Sequence, residues 1–446
     1  MPALLSAVLA FEAPARAAVS LQGVGVLPGE SASIGAAGSG TLIVGWSFDV
    51  GTDGTLLSEE AFRWDPVHGI AGLGFLPGEA FSQAIDVALD GSIVAGHGYT
   101  LDSQGRTISE QACIWSAIQG VVGLGFLPGD FVSKPFALSR DGSTVVGGSG
   151  GFHSQVFVEQ AFVWDAVHGM RGLGLLPGGT NTEAQRVSRD GSIVAGHGFT
   201  VDAQGRRTTD QAFVWDAVSG LRGLGFLPGE SKSRIRLISE DGSVVVGDSY
   251  TDDARGTITD EAFVWDAVHG MRGLGFLPGE SVSKATGATS DASVVVGGSA
   301  TLDAQGQPLT NEGFVWDAVN GMRGLGLLPG YARCSANNVA EAGGAIVGAC
   351  SQGSTGPLDG FVWDAQHGMR SVADVFGAAA NGWTRLNPAA IFGRMIAGNA
   401  TDPGGHEEAW LADLPEPSAG WLDAGALAAL AGLRRRRQLG RPGVLP

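Results

Sequence analysis

Several short patterns in this chain carry residue types that elsewhere do chemistry. Gly147-Gly148-Ser149-Gly150-Gly151 fits the G-x-S-x-G nucleophile pattern. That pattern needs a strand turning sharply into a helix, with an acid and a histidine further along. Ser149 instead stands in a Val-Val-Gly-Gly-Ser stretch shared with Ser299, and no helical periodicity follows either copy. Gly72-Leu73-Gly74-Phe75-Leu76-Pro77 approaches a dinucleotide-binding fingerprint but has proline where the third glycine belongs, and it too is copied along the chain. His406-Glu407-Glu408 lacks the second histidine of a zinc-binding helix. His68, His168, His269 and His367 share one slot with Gln119, Ser219 and Asn320, an interchange that suits a polar turn residue and not a metal ligand. No residue is therefore assigned a catalytic, cofactor-binding or metal-binding role, no cofactor is expected, and the chain is read as a non-enzyme.

What positions these residues is a repeat. The stretch Glu261–Gly279 reads Glu-Ala-Phe-Val-Trp-Asp-Ala-Val-His-Gly-Met-Arg-Gly-Leu-Gly-Phe-Leu-Pro-Gly. Its Trp265 has counterparts at Trp64, Trp115, Trp164, Trp215, Trp316, Trp363 and, in a weaker copy, Trp410, at steps of about 50 residues. Such a period marks one small unit duplicated and stacked. Each tryptophan is flanked by apolar alternation, so these eight are read as structural core and not as a sugar-stacking ring. Trp46 and Trp383 lie off the lattice and are the better candidates for exposed contact. The acid or amide before Ala-Phe is expected to satisfy backbone donors between units.

Each unit shows four strand-like runs. Around residue 290 these are Ser283–Thr289, Ser293–Gly297, Gly313–Asp317 and Met322–Leu327. Asp90-Gly91, Asp141-Gly142, Asp190-Gly191 and Asp241-Gly242 mark the first turn, where Asp-Gly favours a tight hairpin with positive φ at both central positions. The third run is apolar on both faces, which demands neighbours above and below each sheet. Radially stacked four-stranded blades supply them, so the expected fold is an all-β propeller over residues 18–414. The rival is an open β-solenoid. Leu21–Gly29 is a lone copy of the fourth run, and the last unit ends at Glu408-Ala409-Trp410-Leu411 with no fourth run after it. Pairing the two closes the ring, with eight blades if every copy is full and seven if the divergent Met369–Leu414 copy only caps the array.

Composition agrees with a turn-rich β fold: 73 of 446 residues are glycine, 44% are apolar and 16% charged. A formal charge of −18 argues against nucleic acid as a partner of the repeats. Residues 1–17 are read as a signal peptide, with an apolar run and small residues Ala15 and Ala17 at a cleavage site. Cys334 and Cys350 flank a hairpin turn at Glu341–Gly344, nearly opposite on adjacent strands, where an oxidising compartment allows a disulfide. Cys113 takes an aromatic position and is read as a small core residue. After Leu414 come Pro415-Glu416-Pro417, an apolar run over 419–433 read as a short helix, and Arg434, Arg435, Arg436 and Arg437.

This tail resembles the PEP-CTERM sorting signal of exported bacterial proteins, in its Pro415–Pro417 motif, apolar helix and Arg434–Arg437 cluster. The resemblance implies export from a Gram-negative bacterium, transient anchoring in the membrane through the C-terminal helix, and processing by an exosortase-type enzyme, in organisms that make extracellular polysaccharide. The repeats resemble the HAF family of extracellular repeats, through Ala262-Phe263, Trp265, Gly270-Met271, Leu274-Gly275 and Val295-Val296-Gly297. Glu60, Gln111, Glu261 and Asp359 replace that family's histidine, and Leu-Pro-Gly fills its turn. The functional expectation is an exported, surface- or matrix-associated propeller, non-catalytic, binding extracellular polysaccharide or surface proteins. The alternative is a propeller glycosidase or lyase acting on extracellular polysaccharide.

Overall fold

The computed structural model describes residues 20–414 apart from 154–155, 203–205, 253–257, 304–305, 342 and 354–357. The signal-peptide and sorting-tail assignments, including the short C-terminal helix, lie outside the described residues. Among the described residues no helix is long and apolar enough to cross a membrane.

The described residues form a β-propeller of eight four-stranded antiparallel blades, covering 32–72, 81–123, 132–172, 181–223, 232–273, 282–324, 333–371 and 384–413. Strand order within a blade follows the sequence. Blade 6, for example, runs Val282–Ala288, Val294–Ala300, Glu312–Asp317 and Gly321–Gly324. Blades 2 and 3 also touch through one parallel bridge, Val132 to Glu110. Blade 8 contributes only three consecutive strands, and Leu21–Gly23 supplies its fourth, pairing Leu21, Gln22 and Gly23 with Ala412, Leu411 and Trp410. The first strands of neighbouring blades line the central channel. One face of the ring carries the turns between strands one and two and between three and four; the opposite face carries the longer loops between strands two and three.

The third strand explains why blades stack. Its alternate residues face opposite neighbours, so Phe162 packs with Ala112 and Ile114 of blade 2 while Ala161 and Val163 pack with Phe213 of blade 4. Eight buried clusters result, one at each blade interface, including Phe62, Trp64, Ala409 and Leu411 where blade 1 meets blade 8.

Three local details differ from the sequence reading. The fourth strand is short, Gly321–Gly324 in blade 6, because Leu325 and Leu328 turn inward and are buried against blade 7. In the Asp-Gly turns only the glycine takes positive φ, 72° at Gly91 and 76° at Gly142. The aspartate caps the turn instead, Asp90 and Asp141 accepting from the Ser92 and Ser143 amides. A short helix, Val372–Phe376, capped by the Ser371 side chain, joins blades 7 and 8 and buries Val372 and Phe376.

The tryptophan assignment also shifts. The deepest aromatic of a blade is the residue two before the repeated tryptophan: Phe62, Phe162, Phe213, Phe263, Phe314 and Phe361 are fully buried. Trp64 and Trp115 are buried, whereas Trp164, Trp215, Trp265, Trp316 and Trp363 are partly buried and pack along the cluster edges. Trp410 belongs to the phenylalanine slot, since it faces Gly398 as Phe62 faces Gly45. Cys113 stands in the same slot in blade 2 and is buried. Cys334 and Cys350 face each other across the first two strands of blade 7 and are disulfide-bonded, with Cα atoms 4.0 Å apart.

Candidate functional site

Most repeated polar side chains are bonded to the backbone. The acid before Ala-Phe does so: Glu60, Glu261 and Glu312 accept from the amides of Gly74, Gly275 and Gly326 at 2.8–3.0 Å, within their own repeat, where the chain leaves the outer strand. Ser283 joins two blades, accepting from the Ala262 amide (3.0 Å) and donating to the Gly275 carbonyl (2.8 Å); Ser82, Ser133, Thr182 and Ser233 repeat the clasp. Ser149 is buried, accepts from the Leu127 amide and donates to Asp130. His68, His168, His269 and His367 each place Nδ1 2.9 Å from the aspartate that opens their turn, and Asn320 does the same with Asp317. His406 pairs with Asp402. Among the described residues no group of three His, Cys, Asp or Glu is placed to hold a metal ion.

The two off-lattice tryptophans are half-buried. Trp383 packs on the cluster between blades 7 and 8, and Trp46 lies in strand two of blade 1 opposite Ile34 and Ala61. Neither is the exposed contact residue expected from sequence.

Side chains that are not spent on the repeat gather on the long-loop face. Two residues before each Ala-Phe, strand three places Glu59, Glu110, Glu159, Asp210 and Asp260, each in the crevice toward the next blade. Four meet a partner there or beside it: Tyr99 donates to Glu59 (2.6 Å), Lys134 lies 3.5 Å from Glu110, Tyr250 donates to Asp210 (2.8 Å), and Lys284 lies 3.2 Å from Asp260. Burial, helped by the bond to Glu59, pushes the Tyr99 hydroxyl pKa up. Burial, then the Lys134 charge, pushes His97 down to about 3, so its imidazole is neutral. Sequence analysis missed this series, although an acid recurs at that spacing in five copies.

On this face blade 3 departs from blades 2, 4 and 5. Strand two has Gly148 and Gly150 where blade 4 has His197 and Phe199, and its own strand three fills the space. A Cβ on Gly148 would lie 2.0 Å from Glu159 Oε1, and one on Gly150 2.6 Å from the Phe157 ring. Phe157 stacks edge-on to Phe152 (5.6 Å) and Phe131 (6.5 Å), and the last two stack face to face (5.8 Å). The three rings remain 41%, 65% and 45% exposed for Phe157, Phe152 and Phe131. Burial, then the charge of Glu183, pushes the Glu159 carboxyl up to about 7. Burial also opposes ionisation of Glu183, yet His197 and Arg207 hold its carboxyl below the usual range. Arg207 bonds Glu183 (2.7 Å) and lies 3.7 Å over the Phe199 ring.

No family model and no curated protein matches the chain. Solved structures similar to it include the β-propeller domain of the Trilobed protease from Pyrococcus furiosus, at 9% identity over 78% of this chain and 96% of that one, with a TM-score of 0.43. The Dos1 propeller is 14% identical over 89% and 95%, with a TM-score of 0.47. Pyrococcus horikoshii acylaminoacyl peptidase is 9% identical with a TM-score of 0.46; the match covers 80% of this chain and 54% of the peptidase, so the chain spans about half the peptidase's length. At such identities the likeness concerns shape alone.

The opposite mouth of the channel is ringed by its own turns. Leu89 donates to the Arg140 carbonyl, Asp141 to that of Arg189, Arg189 to that of Glu240 and Glu240 to that of Ser290, blade after blade. Arg140 and Arg189 both pair with Glu240, at 3.2 and 3.1 Å, inside a cavity of about 340 Å³. With its charges satisfied in this way, that mouth is a structural collar, and the long-loop face is the candidate site.

Proposed function

We propose that this protein is an exported, surface- or matrix-associated propeller that binds extracellular polysaccharide without transforming it. The observation that supports this most is the aromatic trio Phe131, Phe152 and Phe157, three stacked rings left open on one face of one blade. Exposed contiguous apolar surface marks an interaction site, and aromatic faces suit the C–H-rich face of a sugar ring. Export and surface retention rest on the sorting-like tail, Pro415–Pro417 with Arg434–Arg437, and its exosortase-type partner. A glycan array with the wild-type protein and with F131A/F152A/F157A tests binding: retention on acidic or neutral polysaccharides, lost in the triple variant, is expected. No retention by the wild type would remove the proposal. Deleting Pro415–Pro446 tests the export half, and unchanged surface localisation would count against it.

A second reading, a carbohydrate-active enzyme, draws on one pair. Glu159, raised to about 7, and Glu183, held low, are carboxyls pushed apart in neighbouring blades, as an acid and a base or nucleophile need to be. Product formation from polysaccharide that is lost in both E159Q and E183Q would favour it.

A further inference from the structure

The crevice over blade 6 is open for a reason that the repeat makes visible. At one strand-two position blades 2, 4 and 5 carry His97, His197 and Asp248, and two residues on they carry Tyr99, Phe199 and Tyr250. Blade 6 has Gly298 and Ala300 there. Blade 3 also lacks both side chains but fills the space with Glu159 and Phe157. Blade 6 fills only the first position, where a Cβ on Gly298 would lie 2.8 Å from Asn311 Oδ1 and 3.0 Å from Ser335 Oγ; beside Ala300 a pocket of about 260 Å³ remains, reaching the long-loop face between Val282, Lys284, Leu302, Pro308 and Asn311.

Asp260 of blade 5 forms one wall. Its side chain is 2% exposed; Oδ2 meets Lys284 at 3.2 Å, while Oδ1 is buried and has no hydrogen-bond partner among the described residues. A buried carboxylate oxygen without a donor costs about 1–3 kcal/mol or more, so a carboxyl that lines a pocket in this state favours a ligand able to donate to it. Asp260, whose carboxyl is pushed up to about 7 by burial and then by the charge of Asp248, pairs with Lys284, which favours a neutral ligand over a second cation or anion. Asn311 and Ser335 add an amide and a hydroxyl on another side, and Val282, Leu302 and Pro308 form an apolar wall. The volume lies just under the roughly 300–1,000 Å³ of sites for drug-sized molecules, the scale of a single sugar ring.

We infer that this pocket binds one neutral pyranose residue of a glycan, a ring hydroxyl donating to the Asp260 carboxyl and the C–H face lying on Val282, Leu302 and Pro308. The assignment rests on the polysaccharide-binding reading above and gives it a specific subsite. Blade 6 is then a copy in which the ring position of blades 2, 4 and 5 is vacated at Ala300.

Saturation-transfer NMR on the full-length protein, with the methyl glycosides of glucose, galactose, mannose and rhamnose and with ethanolamine, tests it. Transfer to the ring protons of at least one glycoside is expected, with affinity lowered tenfold or more in D260N. A300F, which restores the ring of blades 2, 4 and 5 without touching Asp260, should abolish transfer. No transfer to any glycoside, a loss below tenfold in D260N, or binding of ethanolamine alone would overturn the assignment. Polysaccharide retention on the array that survives in D260N and A300F would remove this subsite while leaving the proposed function standing. Absence of retention by the wild type would instead remove the function itself.

Discussion

The ring of Phe314 occupies the space that a side chain on Gly297 would need. The two residues face each other across strands two and three of blade 6, and a Cβ built on Gly297 would lie 2.8 Å from the ring and 1.9 Å from the Lys284 carbonyl oxygen. The same pairing recurs as Gly45–Phe62, Gly147–Phe162, Gly196–Phe213, Gly247–Phe263, Gly348–Phe361 and Gly398–Trp410. The glycine of Val-Val-Gly thus lets the bulged first strand approach, and the aromatic ring covers it. Because the nearest obstacle is backbone, G297A should destabilise the protein by about 2–4 kcal/mol, with F314A costing about 3–5 kcal/mol through the cavity it leaves. Urea denaturation followed by tryptophan fluorescence reads both; a shift under 1 kcal/mol for G297A contradicts this packing.

The Cys334–Cys350 bond closes a short loop in blade 7, between strands that also pack against blade 6. Loops of this length contribute on the order of 3 kcal/mol when crosslinked. A C334S/C350S variant should therefore melt several degrees lower, and thiol titration of the denatured, unreduced wild type should find Cys113 alone. Three titratable thiols would refute the bond.

Glu159 gives a pH dependence of definite sign. Its carboxyl is raised to about 7 in the folded protein, so the fold binds that proton more tightly than the unfolded chain does. The contribution is fully present below the ordinary carboxylate value and is lost as pH rises through 7. His97, lowered to about 3 by burial, acts oppositely: the unfolded chain takes up its proton first, so stability falls as pH drops below the ordinary imidazole value. The two overlap, and the clean quantity is a difference. E159Q should gain on the wild type between pH 4 and pH 8, by on the order of 2 kcal/mol. A gap that stays constant with pH contradicts the burial of that carboxyl.

Ring closure rests on three residues at the start of the described chain. Without Leu21–Gly23 the strand Glu407–Asp413 would present an unpaired edge, a template for pairing with another copy. A chain begun at Ser31 should associate or aggregate in size-exclusion chromatography at concentrations where the full chain is a single species. A monodisperse truncated monomer of unchanged stability would contradict closure by that strand.

The architecture was legible because duplication amplifies weak signals. One Trp-Asp or Leu-Pro-Gly says little, while copies at an even period define blade, strand count and the shared eighth blade. The same evenness hid the register of the last copy, where Trp410 stands in the phenylalanine slot and Ala412 faces Ile396 where a tryptophan would stand. It also hid the site. Function-bearing positions are those where copies disagree in size, such as Gly298 against His197, and their effect is spatial: a missing side chain opens a pocket only if no neighbour fills it. Phe157 and Glu159 fill both positions in blade 3, Asn311 and Ser335 fill only the Gly298 position in blade 6 and a pocket stays open beside Ala300, and only coordinates distinguish the two.

The most direct test of the binding account is to recover the glycan itself. Polysaccharide incubated with the protein to saturation, eluted and sized by chromatography and mass spectrometry should be retained by the protein and return with its chain length and end groups unchanged. Shortened chains or new unsaturated ends, lost in E159Q, would show a catalyst; polysaccharide that passes through unretained would contradict binding altogether.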